Sequence, residues 1–375
     1  MSSPLKALLV CLSIAMLAGC DELPSLKAKQ NPPLTIAVVG PMSGPYTRFG
    51  GQMRAGVEQE MAHVNARGGV LDSVFKMRGV DDRCESTRAA SVAKGIAAER
   101  PAFVVGHFCS EASIAAAPIY TDANLLMISP SSSDPALTER GAPNIFRTVP
   151  RQDMQGPVLA KYIADHFSGQ PVAIISDGTP YALTITDSTR KALRSSGIHP
   201  VVDKTMAGPG VDFTDLVTRL KDNNVGVIVY GGNYKDAARL LVEARRQGSS
   251  AVVAGGDTLV AAEFWQLAGS AGEGSFMAFL PDPLDTPRGR TAAGGLGEYG
   301  VEASGYTLYA YAAVEVVVQA AERAKSMATA DLIKEMHGGT FDTAVGMLTF
   351  DDKGDVTNPN LVIYVWRGGA AKRER

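Results

Sequence analysis

The sequence predicts an α/β protein with two lobes of the same architecture, and three observations carry that prediction. Short apolar runs alternate with segments of helical spacing through most of the chain, which is the pattern of parallel strands joined by helices. The alternation starts again near Pro150. Two apolar runs, at 103–106 and 125–128, each lead into a turn rich in hydroxyl groups, as strands facing a ligand crevice do. We therefore expect two Rossmann-like lobes joined by a multi-strand hinge.

The first half of the chain reads as a complete series of strands and helices. Residues 34–40, LTIAVVG, form a continuous apolar run that is typical of a central strand covered on both faces. The predicted strands are 34–40, 74–80, 103–106, 125–128 and 145–149, and the predicted helices are 50–65, 86–98 and 113–122.

The second half repeats the rhythm without repeating the sequence. The predicted helices are 154–167, 182–196, 215–223 and 236–247, and the predicted strands are 172–176, 201–204, 225–230, 251–255 and 276–280. The Pro- and Gly-rich segment 281–295 is predicted to be a loop. Helices at 306–325 and 329–337 follow, and then two strands, 346–350 and 361–366, joined by a turn at 351–355.

This order indicates that the chain leaves the first lobe and later returns to it. We assign 34–151 plus 281–353 to lobe 1, and 152–280 plus 354–375 to lobe 2. Several crossings between two lobes make a hinge that permits closure around a ligand.

Composition excludes some classes of protein. A chain of 375 residues with 45% hydrophobic residues and a net charge of −3 is long enough for two cores and has no basic stripe for nucleic acid. Its one basic cluster, at 372–375, is predicted to be a solvated tail. We expect a monomer.

The N-terminus has the features of an export signal. Lys6 precedes an apolar run at 7–18 that is too short to span a bilayer. Leu17-Ala18-Gly19-Cys20 resembles a bacterial lipobox, which implies a signal peptide at 1–20 and lipid on Cys20; an ordinary signal peptide with an incidental cysteine is the alternative. Asp21 directly follows the cysteine, and its resemblance to the aspartate that keeps lipoproteins in the inner membrane implies that location. Residues 21–33 are predicted to be a polar tether.

Export leaves two cysteines to explain. Cys11 goes with the signal and Cys20 with the lipid, so Cys84 and Cys109 remain as an isolated pair in an oxidising compartment, where a disulfide is favoured. A metal site is the rival interpretation, but no CxxC spacing or nearby histidine pair supports it.

The motifs of catalysis and cofactor binding are weak or missing in the sequence. It contains no Walker A, HExxH or GxSxG pattern, and the GxGxxG match at 295–300 follows a predicted loop instead of a strand. Asp81 and Asp82 are interpreted as a strand-end turn. Ser110 and the serine run at 129–133 have no histidine placed to act as a base, so they indicate binding and not an enzyme. We expect no cofactor.

Several motifs resemble one family. They are VVGPMSGP at 38–45, DDRC at 81–84, GHFCS at 106–110, MISP at 127–130, QGP at 155–157, YGG at 230–232 and GMLTFD at 346–351. They are similar to segments of the leucine/isoleucine/valine-binding proteins of branched-chain amino-acid ABC transporters, which are type I periplasmic binding proteins. The resemblance covers nearly all of 34–366.

The resemblance implies a set of polar ligand contacts. Ser110 would hold the α-carboxylate of an amino acid, Ser131 would offer a backbone carbonyl to the ammonium group, and Ser133 would offer a hydroxyl and an amide. A plain serine-rich turn is the alternative for these residues. Asp257 matches the acidic partner of the ammonium group, although a helix N-cap would also explain it.

The resemblance also implies three aromatic contacts. Tyr181 matches the tyrosine with which the second lobe closes over the ligand, and Phe49 and Tyr306 match the walls of the pocket; packing within each lobe is the alternative for all three. Asp257 stands where the family has glutamate, and Phe49 stands where it has tyrosine. These departures leave the ligand open.

The function implied is that of a periplasmic lipoprotein that delivers an aliphatic, branched-chain amino acid to an inner-membrane permease and its ATPase. The alternative is a ligand-sensing regulator of the same fold that binds a short amide or another small carboxylate.

Overall fold

A computed structural model describes residues 31–208, 210–298, 303, 305–358 and 360–374. The predicted signal peptide, the lipidation site Cys20 and nearly all of the tether lie outside the described residues.

The first lobe is built on a parallel sheet of five strands in the order β2-β1-β3-β4-β5. The strands are β1 (Leu34–Gly40), β2 (Phe75–Asp81), β3 (Phe103–Gly106), β4 (Met127–Ser129) and β5 (Ile145–Arg147). The helices between them are α1 (Thr47–Ala66), α2 (Ser86–Glu99) and α3 (Ser110–Asp122). The order reverses at β1, so the crevice beyond the carboxyl ends of β1 and β3 is where a ligand is expected.

The second lobe continues the alternation around another parallel core. Its strands are β6 (Val172–Ser176), β7 (Val202–Thr205), β8 (Val227–Gly231), β9 (Val252–Gly255) and β10 (Phe276–Phe279). Its helices are α4 (Gln155–His166), α5 (Pro180–Ser195), α6 (Thr214–Asp222), α7 (Tyr234–Arg246) and α8 (Ala262–Ala268).

The remaining chain returns to the first lobe and then crosses back. The elements are α9 (Pro287–Glu298), α10 (Thr307–Ala324), α11 (Thr329–Gly338), β11 (Thr340–Thr343), β12 (Gly346–Thr349), β13 (Val362–Arg367) and β14 (Ala370–Arg373). Val314 and Val317 of α10 belong to the same buried apolar cluster as Ile36 and Val38 of β1. Strands β13 and β14 complete the second sheet, whose order is β14-β13-β10-β9-β8-β6-β7.

Each sheet is covered by helices on both faces, so the predicted class of two Rossmann-like lobes is confirmed. We propose the lobe boundaries given above, 34–151 plus 281–353 and 152–280 plus 354–375, and the membership of the strands in the two sheets supports them.

The predicted loop at 281–295 is wrong, because α9 occupies most of it. Asp282 caps a 3-10 turn at Pro283–Asp285, and Pro287 stands in the first helical turn, where its missing N–H costs nothing. Gly289 lies so close to neighbouring backbone that a Cβ would be 2.0 Å from the Pro283 carbonyl oxygen. The glycine that suggested a loop therefore serves close packing of a helix.

The two strands predicted near the C-terminus correspond to β12 and β13, which belong to different sheets: β12 pairs with β11, and β13 pairs antiparallel with β10. The turn at 351–355 exists, closed by a bridge between Phe350 and Val356. The basic tail is also not simply solvated, because β14 forms the edge of the second sheet through pairing with β13.

A buried cluster of acids lies between α1 and α10, away from the crevice. Glu60 and Glu315 are 6% and 3% exposed, and burial raises the pKa of each to about 7. Arg288 pairs with Glu315, and the Tyr311 hydroxyl lies 2.7 Å from His63 Nδ1. Among the residues that the structure describes, Glu60 has no arginine in contact, but His63 Nδ1 lies 3.5 Å from its Oε2.

We expect the free energy of unfolding contributed by Glu60 to fall as pH rises from about 4.5 to about 7. The folded state, with the raised pKa, binds the proton more tightly than the unfolded state, so the contribution is complete below the unfolded pKa and is lost as pH passes the folded one. Glu60→Gln should raise stability at pH 8 relative to wild type by about 2 kcal/mol and change it little at pH 4.5. Urea unfolding at both pH values measures this, and Glu58→Gln, on the exposed face of α1, is the matched control. An equal pH response in wild type and Glu60→Gln would contradict the expectation.

Candidate ligand-binding site

The hydroxyl-rich segments of the first lobe meet at one edge of its sheet. Strand β3 ends at Gly106 and α3 begins at Ser110, while Ser129 ends β4 beside it. Parallel strands bring their carboxyl ends to the same edge, so the start of α3 and the turn after β4 are neighbours. The Ser110 hydroxyl accepts a hydrogen bond from the Asp134 N–H at 3.3 Å.

Three serine hydroxyls of this turn bind the neighbouring backbone. Ser129 donates to the His107 carbonyl at 2.8 Å, and Ser131 and Ser132 donate to the Phe108 carbonyl at 2.8 and 3.1 Å. The Ser131 hydroxyl is thus used within the lobe. The Ser133 hydroxyl lies at the longer distance of 3.4 Å from Gln152 Oε1.

A buried polar group supports the same edge. His107 Nδ1 lies 2.6 Å from Asp82 Oδ2, and His107 Nε2 lies 3.1 Å from the Tyr120 hydroxyl. Asp81 points elsewhere and accepts hydrogen bonds from the Met42 N–H and the Ser43 hydroxyl. The adjacent carboxylates therefore serve two separate turns, as expected for a strand end and not for a metal pair. In the part of the chain that the structure describes, no group of His, Cys, Asp and Glu residues could hold a metal ion.

The structure joins Cys84 and Cys109 by a disulfide, with 5.3 Å between their Cα atoms. The bridge ties the turn after β2 to the residue that precedes Ser110 at the start of α3. It therefore lies directly behind the predicted carboxylate site.

We expect the double variant Cys84→Ser/Cys109→Ser to lose about 3 kcal/mol of unfolding free energy, because the bridge closes a loop with a sequence separation of 25 residues. Urea unfolding of the two proteins measures the loss. Dithiothreitol should produce the same loss in wild type and none in the variant. Equal stability of oxidised and reduced wild type would count against a structural bridge.

The second lobe presents a carboxylate that is fixed from two sides. The Tyr181 hydroxyl donates to Asp257 Oδ1 at 2.6 Å, and Gln155 Nε2 donates to the same oxygen at 3.2 Å. Gln155 Oε1 also accepts from the Asp257 N–H at 3.1 Å. Burial, followed by the charge on Asp257, raises the pKa of Tyr181 well above its ordinary value, so this tyrosine remains a donor at physiological pH.

Three aromatic rings pack together beside the site, and Tyr306 is the one that lines it. Phe49 stacks on Phe108 with ring centroids 4.9 Å apart, and Tyr306 packs edge-on against Phe108 at 5.2 Å. Burial and then the nearby Asp257 charge raise the pKa of Tyr306, and the two residues line the same cavity.

Residues of both lobes line one narrow cavity of about 30 Å³. The lining residues are Ser131, Ser133, Val149, Pro150, Gln155, Asp257, Phe279, Leu280, Tyr306 and Leu361. This volume holds roughly one water molecule, so a ligand the size of an amino acid requires the lobes to separate. A wider groove of about 1070 Å³ beside α4 and α5 is lined by charged side chains that include Arg151, Asp355 and Lys161, and none of the residues predicted to contact the ligand lines it.

The structure therefore gathers most of the predicted site residues. Ser131, Ser133, Asp257 and Tyr306 line the cavity, and Tyr181 reaches it through its bond to Asp257. Phe49 contributes through Phe108, and Ser110 contacts the serine turn through Asp134.

Sequence reasoning did not assign a role to Gln155 or Phe108. Both lie inside motifs that carried the family resemblance, so those motifs were the available signal. Gln155 contacts Asp257 and Phe108 contacts Tyr306, and in each pair the residues are more than 100 positions apart in the sequence. A local residue pattern cannot predict contacts of that kind.

The described helices include none that is long and apolar enough to cross a membrane.

Comparison with known proteins gives the family. A family model described as "Periplasmic binding protein" matches residues 33–371. A Leu/Ile/Val-binding protein homolog 1 of Brucella suis is 36% identical over 331 residues, which cover 88% of this chain and 89% of that protein. A leucine-, isoleucine-, valine-, threonine- and alanine-binding protein of Pseudomonas aeruginosa is 32% identical over 343 residues, with 91% and 92% covered.

A solved structure shows the same fold. The leucine-binding protein LivK of Thermotoga maritima superposes with a TM-score of 0.75 at 24% identity, over 91% of this chain and 98% of that one. Because the family model matches most of the chain and the relatives are more than 30% identical to it, this chain belongs to the periplasmic binding protein family, in the branch of the Leu/Ile/Val-binding proteins.

Proposed function

We propose that this protein is the substrate-binding component of an ABC importer, that it binds an aliphatic, branched-chain amino acid between its lobes, and that it delivers this ligand to an inner-membrane permease. The observation that carries the proposal is the cavity in which Ser133 of the first lobe and Asp257 of the second lobe face the same space.

These groups suit the two charges of an amino acid. Removing a zwitterion from water is costly unless fixed donors meet its carboxylate and fixed acceptors meet its ammonium group. Ser110 and Ser133 supply donors from the first lobe. The Asp257 carboxylate and the Ser131 carbonyl supply the acceptors.

The arrangement of Asp257 favours an ammonium ligand over a neutral one. Tyr181 and Gln155 both donate to Oδ1, which holds the carboxylate in one orientation. A preorganised anion binds a cation without the entropic cost of ordering its own side chain. This fixed orientation compensates for the shorter side chain of aspartate compared with the family's usual glutamate.

The aromatic and aliphatic wall favours an apolar side chain. Tyr306, Phe279 and Leu280 line the cavity, and Phe108 and Phe49 support Tyr306. One methylene in such a pocket changes binding by only about 1–3 kcal/mol. We therefore infer selectivity for the aliphatic class, in line with the several amino acids in the name of the Pseudomonas aeruginosa relative.

Transport requires opening and closing, and the chain crossings between the lobes permit it. The peptide crosses between β5 and α4, between β10 and α9, and between β12 and β13. We further propose that lipid on Cys20 holds this monomer at the periplasmic face of the inner membrane, beside the permease and its ATPase. The lipobox resemblance at 17–20 supports the anchor.

Isothermal titration calorimetry tests the binding proposal. The chain beginning after Cys20 is unfolded in urea without reductant, dialysed to remove carried-over ligand, refolded and titrated with the twenty amino acids and with short amides. Tight binding of Leu, Ile or Val, with weak binding of acidic and basic amino acids, is the expected result. Binding of an amide or a non-amino carboxylate alone would overturn the ligand class and favour the sensing role.

A further inference from the structure

Arg147 lies behind the serine turn and is completely buried. It is the last residue of β5. Its Nη1 donates to the Ser132 carbonyl at 2.8 Å and to the Asp134 carbonyl at 2.9 Å. One guanidinium nitrogen thus holds both ends of the segment that contains Ser133.

The guanidinium is itself fixed from the other side. Nη2 donates to the Thr138 hydroxyl at 2.6 Å, and Nε lies 2.7 Å from Asp355 Oδ1. Asp355 also contacts Arg151 Nη1 at 3.3 Å. The hydrogen bonds of the guanidinium come from Nη1 and Nη2, while Nε, among the described residues, makes only the ionic contact with Asp355. The turn carbonyls are thus held against a buried, oriented cation.

One peptide group connects Arg147 to the ligand site. The peptide between Ser132 and Ser133 is trans, so its C=O and its N–H point in opposite directions. With the Ser132 oxygen bound to Arg147, the Ser133 N–H points away from the guanidinium, and Ser133 is one of the residues that line the cavity. A cation on the carbonyl oxygen also polarises the peptide and makes its N–H a stronger donor.

We propose that Arg147 is a positioning residue for the anionic end of the ligand, acting through the Ser132–Ser133 peptide to orient and strengthen the Ser133 amide. The inference rests on the proposed function, since it takes the ligand to carry a carboxylate. It assigns a role in affinity to a residue that no ligand can touch.

The test compares L-leucine with L-leucinamide, which keeps the ammonium group and the side chain but is neutral at the carboxylate end. The variant is Arg147→Met/Asp355→Leu, which removes the buried ion pair together and leaves neither charge unpaired. Calorimetry should show leucine affinity falling about tenfold more than leucinamide affinity, because a charged hydrogen bond is stronger than a neutral one.

A second Arg147 variant and a control variant distinguish a loss of positioning from a loss of folding. Arg147→Lys keeps a cation beside Asp355 but lacks the planar fork, so it should shift the leucine-to-leucinamide ratio in the same direction. Arg288→Met/Glu315→Leu removes an ion pair that lies away from the crevice and should leave the ratio unchanged. Circular dichroism and thermal unfolding report whether each variant is folded.

The outcomes separate the two proposals. An unchanged ratio in a folded Arg147 variant, with wild type still binding leucine, overturns this inference alone. Wild type that binds neither compound overturns the proposed function, and this inference falls with it.

Discussion

Replacing Asp257 by alanine is expected to weaken leucine binding by about 100-fold, because the ammonium group would enter the cleft without an anionic partner. The structure holds this carboxylate in place with Tyr181 and Gln155, at distances of 2.6 and 3.2 Å, and sets it in the cavity shared by both lobes. Calorimetry with L-leucine measures the loss.

Three variants separate the charge from the shape of the site. Asp257→Asn keeps the size and an acceptor oxygen and should lose less than Asp257→Ala. Tyr306→Leu changes only the apolar wall and should weaken binding less than either. Tyr181→Phe removes the donor that orients the carboxylate and should have a moderate effect. Full affinity for leucine in a folded Asp257→Ala protein would show that Asp257 does not bind the ammonium group.

The largest loss of stability is expected from Asp355→Ala, at about 3–5 kcal/mol of unfolding free energy. Asp355 is buried, pairs with Arg147 at 2.7 Å and contacts Arg151 at 3.3 Å. Its removal leaves the Arg147 cation buried and unpaired, close to a second cation. Urea unfolding at neutral pH measures the loss.

A double variant and a surface pair provide the controls for this prediction. Arg147→Met/Asp355→Leu removes both charges and should recover most of the stability lost in Asp355→Ala. Lys161→Ala breaks the exposed pair with Asp165, in which the side chains are 77% and 50% exposed, and should cost less than about 1 kcal/mol. A double variant as unstable as the single one would show that packing, and not charge, decides the loss.

The two lobes were predictable because central parallel strands are apolar on both faces. The predicted strands at 34–40, 103–106 and 172–176 have the bounds of β1, β3 and β6. Each of these strands has a neighbouring strand on both sides and helices over both faces, so no polar face interrupts the apolar pattern. The family resemblance, which rests on short motifs at strand ends, is confirmed by the family model and the relatives.

The edge elements were not predictable from local pattern. Helix α9 has the glycines and prolines of a loop, but it buries Ala292 and Leu296 in one apolar cluster with Leu308 and Tyr311 of α10. Strand β14 has the charges of a tail and is fixed by pairing with β13. In both cases a tertiary partner overrides the local propensity.

The candidate site shows the same division. By itself, the sequence determined which lobe architecture the chain adopts and that Ser110, Ser131 and Ser133 follow strand ends facing a crevice, because local periodicity and chain direction dictate both. Their contacts with a ligand stay predictions, as does lipid on Cys20. Only the tertiary structure decided that Gln155 and Tyr181 hold Asp257 and that Arg147 stands behind Ser132, because each contact joins side chains on separate elements whose distance is set by packing and leaves no mark in the local pattern.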